Sequence, residues 1–152
     1  MKKLISQITQ TDQSLSPLVL RITLAIVLWP HGAQLLLGLF GGGGLKGSMD
    51  YLTAQGIPYI IGFLVIFLQF FGSLCILAGI YTRIFAVGII IMFIGMIAVA
   101  HWPIGFFMNW TGSLKGEGFE YHLLVIGIAL SIILSGSGRW SLDNIFQQIE
   151  ED

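Results

Sequence analysis

Six polar side chains in an otherwise apolar sequence have the chemistry to bind a ligand or to exchange a proton. Histidine changes its charge near neutral pH, and carboxylate and amide groups form hydrogen bonds with ligands. The six candidates are His31, Gln34, Gln69, His101, Glu120 and His122, and they include all three histidines of the chain. Polar groups in lipid are costly and are often functional, although each of these can also serve only to join two helices. The set therefore predicts a ligand-binding pocket without assigning a catalytic residue.

The composition is that of a membrane protein. Charged residues make up 10% of the 152 positions and apolar residues 55%, whereas soluble domains are about 25% charged. A soluble protein of this size needs a more charged surface, so a lipid bilayer is the expected environment. The net charge of −1 excludes the basic surface that is typical of nucleic-acid binding. The single cysteine, Cys75, can form neither an intramolecular disulfide nor a zinc-ligand set.

Four apolar segments are long enough to cross a bilayer, which takes about 20 residues. They cover residues 17–40, 58–79, 83–102 and 119–134. The predicted fold class is an all-α membrane protein, a bundle of four transmembrane helices that forms a single domain over residues 1–152. Between the first two spans we expect a short helix that Ser48 caps and that ends at Gly56.

Short amphipathic helices are predicted to lie on the membrane surface at both termini. The first is in an N-terminal arm that stays uncleaved, with its apolar face at residues 4–8. The second follows the fourth span, where Ser141 is the expected N-cap and Asp143 is expected to face water. Arg139 and Asp143 are interpreted as a surface ion pair and a helix cap. The apolar stripe of the second helix consists of Leu142, Ile145, Phe146 and Ile149.

The distribution of basic residues predicts the orientation, because positive charge accumulates on the cytoplasmic side of membrane proteins. With four spans, five basic residues fall on one side and two on the other. The five are Lys2, Lys3, Arg21, Arg83 and Arg139, and the two are Lys46 and Lys115. Both termini are therefore expected in the cytoplasm.

This orientation places five of the polar candidates towards the outer ends of the spans, whereas Gln69 is expected near mid-depth. At 1.5 Å per residue, His31, His101 and Glu120 reach one layer, and we expect them to converge on one pocket. Glu120 shares a helix face with Gly127 and Ser131, and small residues mark close helix contacts, so this face is predicted to point inward. His122 would then lie nearly opposite.

Six short stretches make the chain resemble the DoxX family of small four-helix membrane proteins. They are residues 20–42 (LRITLAIVLWPHGAQLLLGLFGG), AQGIP before the second span, GSLCILAGIYTR, HWPIGFF, EGFEYHLL and GSGRWSLD. The resemblance implies a protein of the bacterial inner membrane that is associated with redox enzymes, with a quinone as the ligand. On that reading Trp29, Trp102, Phe106 and Phe107 would form the walls of the quinone slot.

Two functions remain open from the sequence. The first is a redox-associated subunit that binds quinone near the outer face and needs a soluble or membrane redox partner protein. The second is a non-enzymatic scaffold or small-molecule carrier, and either could form a homo-oligomer. A haem or metal site on His31, His101 and Glu120 is a third interpretation, but no H-x-x-x-H or E-x-x-H spacing supports it, so no metal ligands are assigned. The cofactor therefore stays unknown, with quinone as the candidate.

Overall fold

The computed structural model describes residues 9–11 and 13–151, with side chains to residue 149, and all regular secondary structure within these residues is helical. Three helices are long and apolar enough to cross a membrane: α1 (Ser16–Leu37), α3 (Tyr59–Ala78) and α4 (Thr82–His101). The predicted spans 17–40, 58–79 and 83–102 match these helices to within three residues at each end. A fourth apolar helix, α5 (Glu120–Ser135), has 16 residues and matches the predicted span 119–134. Its length is about 24 Å, somewhat less than a hydrocarbon core of about 30 Å.

The short helix α2 (Gly44–Ala54) connects α1 to α3. The prediction that Ser48 caps this helix was wrong, because α2 begins one turn earlier and Ser48 lies buried inside it. Helix α1 ends at its C-cap Gly38, which has a φ of +73°, and α2 begins inside the four-glycine run at Gly44, so its N-terminus lies four residues before Ser48. Leu52 then packs on Gly62, where a Cβ would approach its Cδ1 to 3.3 Å. This contact holds α2 against the start of α3.

The core is built by α1, α3, α4 and α5, which follow one another around the bundle. Helix α1 packs on α3 and α5, and α4 packs on the same two helices from the other side. All four contribute to one cluster of buried side chains, which consists of Leu24, Leu28, Ile76, Ala86, Ile89, Met92, Phe93, Val125, Ala129 and Ile132. Many large apolar side chains on the outer faces stay exposed. An apolar exterior around an apolar core is what a lipid environment requires.

A π-helical turn in α3 (Leu68–Gly72) allows α1 and α3 to approach closely. Gly32 of α1 faces this turn, and a Cβ on Gly32 would come within 2.5 Å of the carbonyl carbon of Gln69. Ser73 donates its hydroxyl proton to the carbonyl oxygens of Gln69 (2.7 Å) and Phe70 (2.8 Å) and so satisfies backbone groups beside the turn. A second π-helical turn, Ile97–His101, ends α4.

The bundle has two chemically different ends. The basic end contains the start of α1, the α3–α4 turn, the end of α5 and helix α6 (Leu142–Glu151). The loop end contains α2 and the connection between α4 and α5, residues 102–119. Arg21, Arg83 and Arg139 belong to the basic end, whereas Lys46 and Lys115 belong to the loop end. The predicted N-terminal amphipathic helix, residues 4–8, lies outside the described residues.

Helix α6 forms where the sequence predicts it. Ser141 Oγ accepts a hydrogen bond from the backbone N–H of Asn144 (3.2 Å), as expected of an N-cap. The apolar stripe is exposed, with Ile149 67% accessible, although Phe146 stacks on Tyr81 at a ring-centroid distance of 6.2 Å. The expectation that Asp143 faces water was wrong, since its side chain is only 1% exposed.

Candidate functional site

Glu120 begins α5 and is held by the loop that precedes it. One carboxylate oxygen, Oε1, accepts hydrogen bonds from the backbone N–H of Met108 (3.1 Å) and from Nε1 of Trp110 (3.3 Å). These bonds fold the loop back over the first turn of α5, and Phe106 reinforces the fold by packing its ring edge-on against Phe119. The second carboxylate oxygen has no partner among the side chains and backbone groups that the structure describes, so it is free to accept a further hydrogen bond.

Glu120 lies on a groove at the loop end, which we call the loop-end groove. The groove encloses about 440 Å³ and its walls are almost entirely apolar. Its lining consists of Phe106, Met108, Trp110, Glu120, Tyr121, Leu123 and Leu124. A carboxylate in an aromatic, apolar groove suits a flat apolar ligand that carries a hydroxyl group.

The aromatic walls differ from those that the resemblance implied. Phe106 lines the groove, but Trp102 stacks on Phe119 at 5.6 Å and Trp29 packs on Phe70 at 6.0 Å. Phe107 is 70% exposed. Trp110 and Tyr121 take the places assigned to these residues, because the loop folds back on α5 in a way that spacing along the chain does not reveal.

His101 and His122 form a second polar feature at the same end. Their rings lie 4.1 Å apart between centroids, and the ring of Phe93 is 5.2 Å from that of His122. His101 Nδ1 is 2.8 Å from the carbonyl oxygen of Glu117. A carbonyl only accepts, so Nδ1 carries the proton and Nε2 of the neutral ring is an acceptor.

His122 is buried, and neither of its ring nitrogens has a hydrogen-bond partner in the described part of the chain. The same holds for the hydroxyl group of Tyr121, whose ring is 5.6 Å from that of His122. Tyr121 also lines the loop-end groove. Its side chain therefore contacts both the groove and His122. Unpaired buried polar groups of this kind are energetically costly, which makes them candidates for a functional role.

The predicted inward face of α5 was wrong. The buried residues of α5 are His122, Val125, Ala129 and Ile132, whereas Gly127 and Ser131 are exposed. The small residues misled the prediction because Ser131 needs no neighbouring helix: its hydroxyl bonds to the carbonyl of Gly127 in its own helix, at 3.0 Å. His122 therefore points into the bundle, and the carboxylate of Glu120 turns towards the loop.

The remaining candidates do not join these two features. His31 is exposed on α1 and makes no hydrogen bond or ring contact with the residues that the structure describes. Gln34 donates to the carbonyl of Phe40 (3.2 Å) and so closes the end of α1. Gln69 is buried in the π-helical turn of α3. The described residues contain no group of three His, Cys, Asp or Glu side chains that could hold a metal ion.

A buried polar cluster at the basic end was missed by the sequence reasoning. Arg21 is 1% exposed and donates to the carbonyls of Leu77 (2.8 Å), Arg139 (3.2 Å) and Trp140 (3.0 Å). The interpretation of Asp143 as a surface residue paired with Arg139 was wrong. An arginine a few residues inside an apolar span was the available signal, because such a charge requires buried partners.

Asp143 serves as the cap of another helix. Its carboxylate accepts from the backbone N–H groups of Tyr81 (2.7 Å) and Thr82 (3.0 Å) and from the hydroxyl of Thr82 (2.8 Å), where α4 begins. Gly79 leaves room for the cluster, since it has a φ of +72° and a Cβ there would lie 2.5 Å from Arg21 Nη1. Arg21 thus caps the end of α3 and Asp143 the start of α4, which ties α6 to both.

Comparison with known proteins gives two matches of different kinds. The family model for DoxX matches residues 16–102, more than half of the chain. A similar protein is the inner membrane protein YqjF of Escherichia coli (strain K12), 28% identical over 108 residues that make up 69% of this chain and 76% of that protein. No solved structure matches the chain significantly. The family match ends at α4, so the features that α5 contributes lie beyond it.

Proposed function

Because this chain belongs to the DoxX family and is an integral protein of a bacterial inner membrane, we propose that it is a redox-associated subunit whose loop-end groove binds the head of a quinone or quinol. The observation that carries this proposal is the position of Glu120, a single carboxylate with one free oxygen in an otherwise apolar and aromatic groove. The ligand is one that reaches the site through the lipid, since the helices around the groove present apolar side chains.

The groove supplies what a quinol head needs. A quinol hydroxyl would donate to the free oxygen of Glu120, while the rings of Phe106 and Tyr121 pack on its faces. The bonds from Met108 and Trp110 hold the carboxylate in place before the ligand arrives, which reduces the entropic cost of binding. A partner protein would take up or deliver the electrons.

The histidine pair provides groups that can take up the proton released by a quinol. His101 is half-buried beside the loop, and His122 lies between it and Tyr121. Histidine exchanges protons near neutral pH, so the pair would connect the groove to water around the loop. In this scheme Glu120 contacts the ligand, and the histidines act behind it.

The membrane arrangement proposed with this function has four spans, with α5 as the fourth. Helix α5 is apolar and packs along α1 and α4, and its buried side chains share their core. The basic end, with Arg21, Arg83 and Arg139, would face the cytoplasm, which places the loop-end groove at the outer face. Helix α6 would lie along the cytoplasmic surface, with its exposed stripe in the lipid.

A non-enzymatic scaffold is the second candidate, and the bonds of Glu120 favour it. The carboxylate clamps the loop to α5, which is a sufficient reason for its presence without any ligand. The two candidate functions differ in whether the free oxygen of Glu120 accepts a hydrogen bond from a ligand, so a measurement of ligand binding distinguishes them.

The test is the quenching of tryptophan fluorescence by a short-chain quinone added to the purified protein in detergent. Trp110 lies in the groove, so a bound quinone should quench its emission. Glu120→Gln should weaken binding roughly 10-fold to 100-fold, the value of a hydrogen bond to a charged group. The control is Glu117→Gln, which removes a carboxylate that also accepts a loop N–H, that of Asn109 at 2.7 Å, but does not line the groove.

Equal quinone binding by both variants would refute the quinone proposal. If neither variant binds quinone and the only effect of Glu120→Gln is faster amide hydrogen exchange in the loop, the scaffold function is supported instead.

A further inference from the structure

A second groove lies at the basic end, away from the site proposed above, and we call it the basic-end groove. It encloses about 410 Å³ between the end of α3 and the start of α6. It is lined by Gln13, Ala78, Arg139, Trp140, Ser141, Leu142, Asn144 and Ile145. Its lining thus combines a cation and polar groups with apolar side chains, a combination that suits an amphipathic ligand.

Two aromatic residues place this groove at the depth of the lipid headgroups. Tyr81 follows the apolar helix α3, and Trp140 lies on the groove itself, 73% exposed. Tyrosine and tryptophan prefer the interface between membrane and water. Both residues have a positive φ, 43° and 55°, which large side chains rarely adopt. The backbone N–H of Tyr81 donates to the carboxylate of Asp143, and the backbone carbonyl of Trp140 accepts from Arg21, so both turns that present these rings are held in place.

Arg139 is the available charge in this groove. Its side chain is exposed and forms no ion pair with any side chain that the structure describes, and its guanidinium carbon lies 5.4 Å from the centroid of the Trp140 ring. Arg21 and Asp143 lie beneath it but are buried, and their hydrogen bonds cap α3 and α4. Gln13 and Asn144 hydrogen-bond to each other and close one side. An anion that enters the groove therefore meets one unneutralised guanidinium.

We propose that the basic-end groove binds the phosphate group of an anionic phospholipid. The planar guanidinium of Arg139 matches the oxygens of a phosphate, and the indole of Trp140 keeps it oriented. The apolar side chains of Ala78, Leu142 and Ile145 then lie where the acyl chains begin. A bound lipid would join α3 to α6 from outside the buried cluster that already connects them.

Native mass spectrometry of the full chain tests the proposal, with phosphatidylglycerol and phosphatidylcholine as the lipids. Arg139→Gln should weaken phosphatidylglycerol binding about fivefold, since a basic residue near a membrane surface contributes about that much, and Arg139→Lys should give an intermediate loss. Lys115→Gln is the matched control, because it removes one exposed positive charge at the opposite end. Phosphatidylcholine binding should be the same in all variants.

Equal phosphatidylglycerol binding by Arg139→Gln and Lys115→Gln would overturn the proposal. A second experiment uses inorganic phosphate as the probe. If phosphate changes Trp140 fluorescence in zwitterionic micelles and competes fully with phosphatidylglycerol, the groove is a site for a soluble anion and the lipid assignment is wrong. Circular dichroism should give the same helix content for every variant, since Arg139 and Lys115 are both exposed.

Discussion

Replacing Asp143 by alanine should destabilise the protein more than the loss of any surface charge. Its carboxylate is 1% exposed and accepts three hydrogen bonds at the start of α4. The alanine variant would leave two backbone N–H groups and the Thr82 hydroxyl without their acceptor. It would also leave the guanidinium of Arg21 buried without a nearby negative charge.

The expected loss follows from these contacts. A hydrogen bond to a charged group contributes about 1.5–3 kcal/mol, so three bonds give an upper limit of roughly 5–9 kcal/mol. Water that enters at this end of the bundle will form hydrogen bonds with some of the groups that lose their acceptor. Breaking a buried charged pair costs about 3–5 kcal/mol, and we expect Asp143→Ala to fall in that range. Asp143→Asn keeps one acceptor oxygen and should lose less.

The measurement is reversible unfolding in mixed micelles, followed by circular dichroism. Asp50→Ala is the control, because Asp50 lies on the short helix α2 and its exposed carboxylate pairs with Lys46 at the surface, at 2.8 Å. The control should unfold as the wild type does. If Asp143→Ala lost less than about 1 kcal/mol, the level of a surface pair, the buried cap would not stabilise the bundle and our reasoning would be refuted.

Three further predictions concern other parts of the bundle. Gly32→Ala should destabilise the protein by about 1–3 kcal/mol in the same unfolding assay, because the new Cβ has no room against α3. Gly47→Ala is the control and should be neutral or stabilising, because the space around its Cβ is open. Equal effects of the two substitutions would show that the close approach at Gly32 is unimportant. His122→Leu should raise the stability of the protein by about 1 kcal/mol, because it removes two unpaired buried nitrogens. The same substitution should reduce quinol oxidation with a reconstituted partner. A loss of stability would mean that the imidazole has a structural partner. Cysteines placed at positions 46 and 115 should react with an impermeant thiol reagent from the outside of whole cells, and labelling only after lysis would reverse the proposed orientation.

The helices were predictable from the amino-acid sequence, because membrane spans depend on local composition. An apolar run of about 20 residues is stable in lipid only when its backbone bonds internally, so each such run is a helix wherever it packs. The ends of α1, α3, α4 and α5 agree with the prediction for this reason. Ser141 could also be identified as a cap, since capping acts over three residues.

The inward face of α5, the groove around Glu120 and the pairing of Arg21 with backbone carbonyls depended on tertiary structure. An apolar helix in lipid has apolar side chains all around, so its pattern gives little indication of which face meets its neighbours. The small residues of α5 pointed the wrong way because the hydroxyl of Ser131 bonds to the carbonyl of Gly127 within the same helix. Asp143 and Tyr81 are 62 positions apart, and they meet only because α6 folds back across the α3–α4 turn. Contacts of this kind depend on how the helix ends are placed in space, and spacing along the chain does not contain that information.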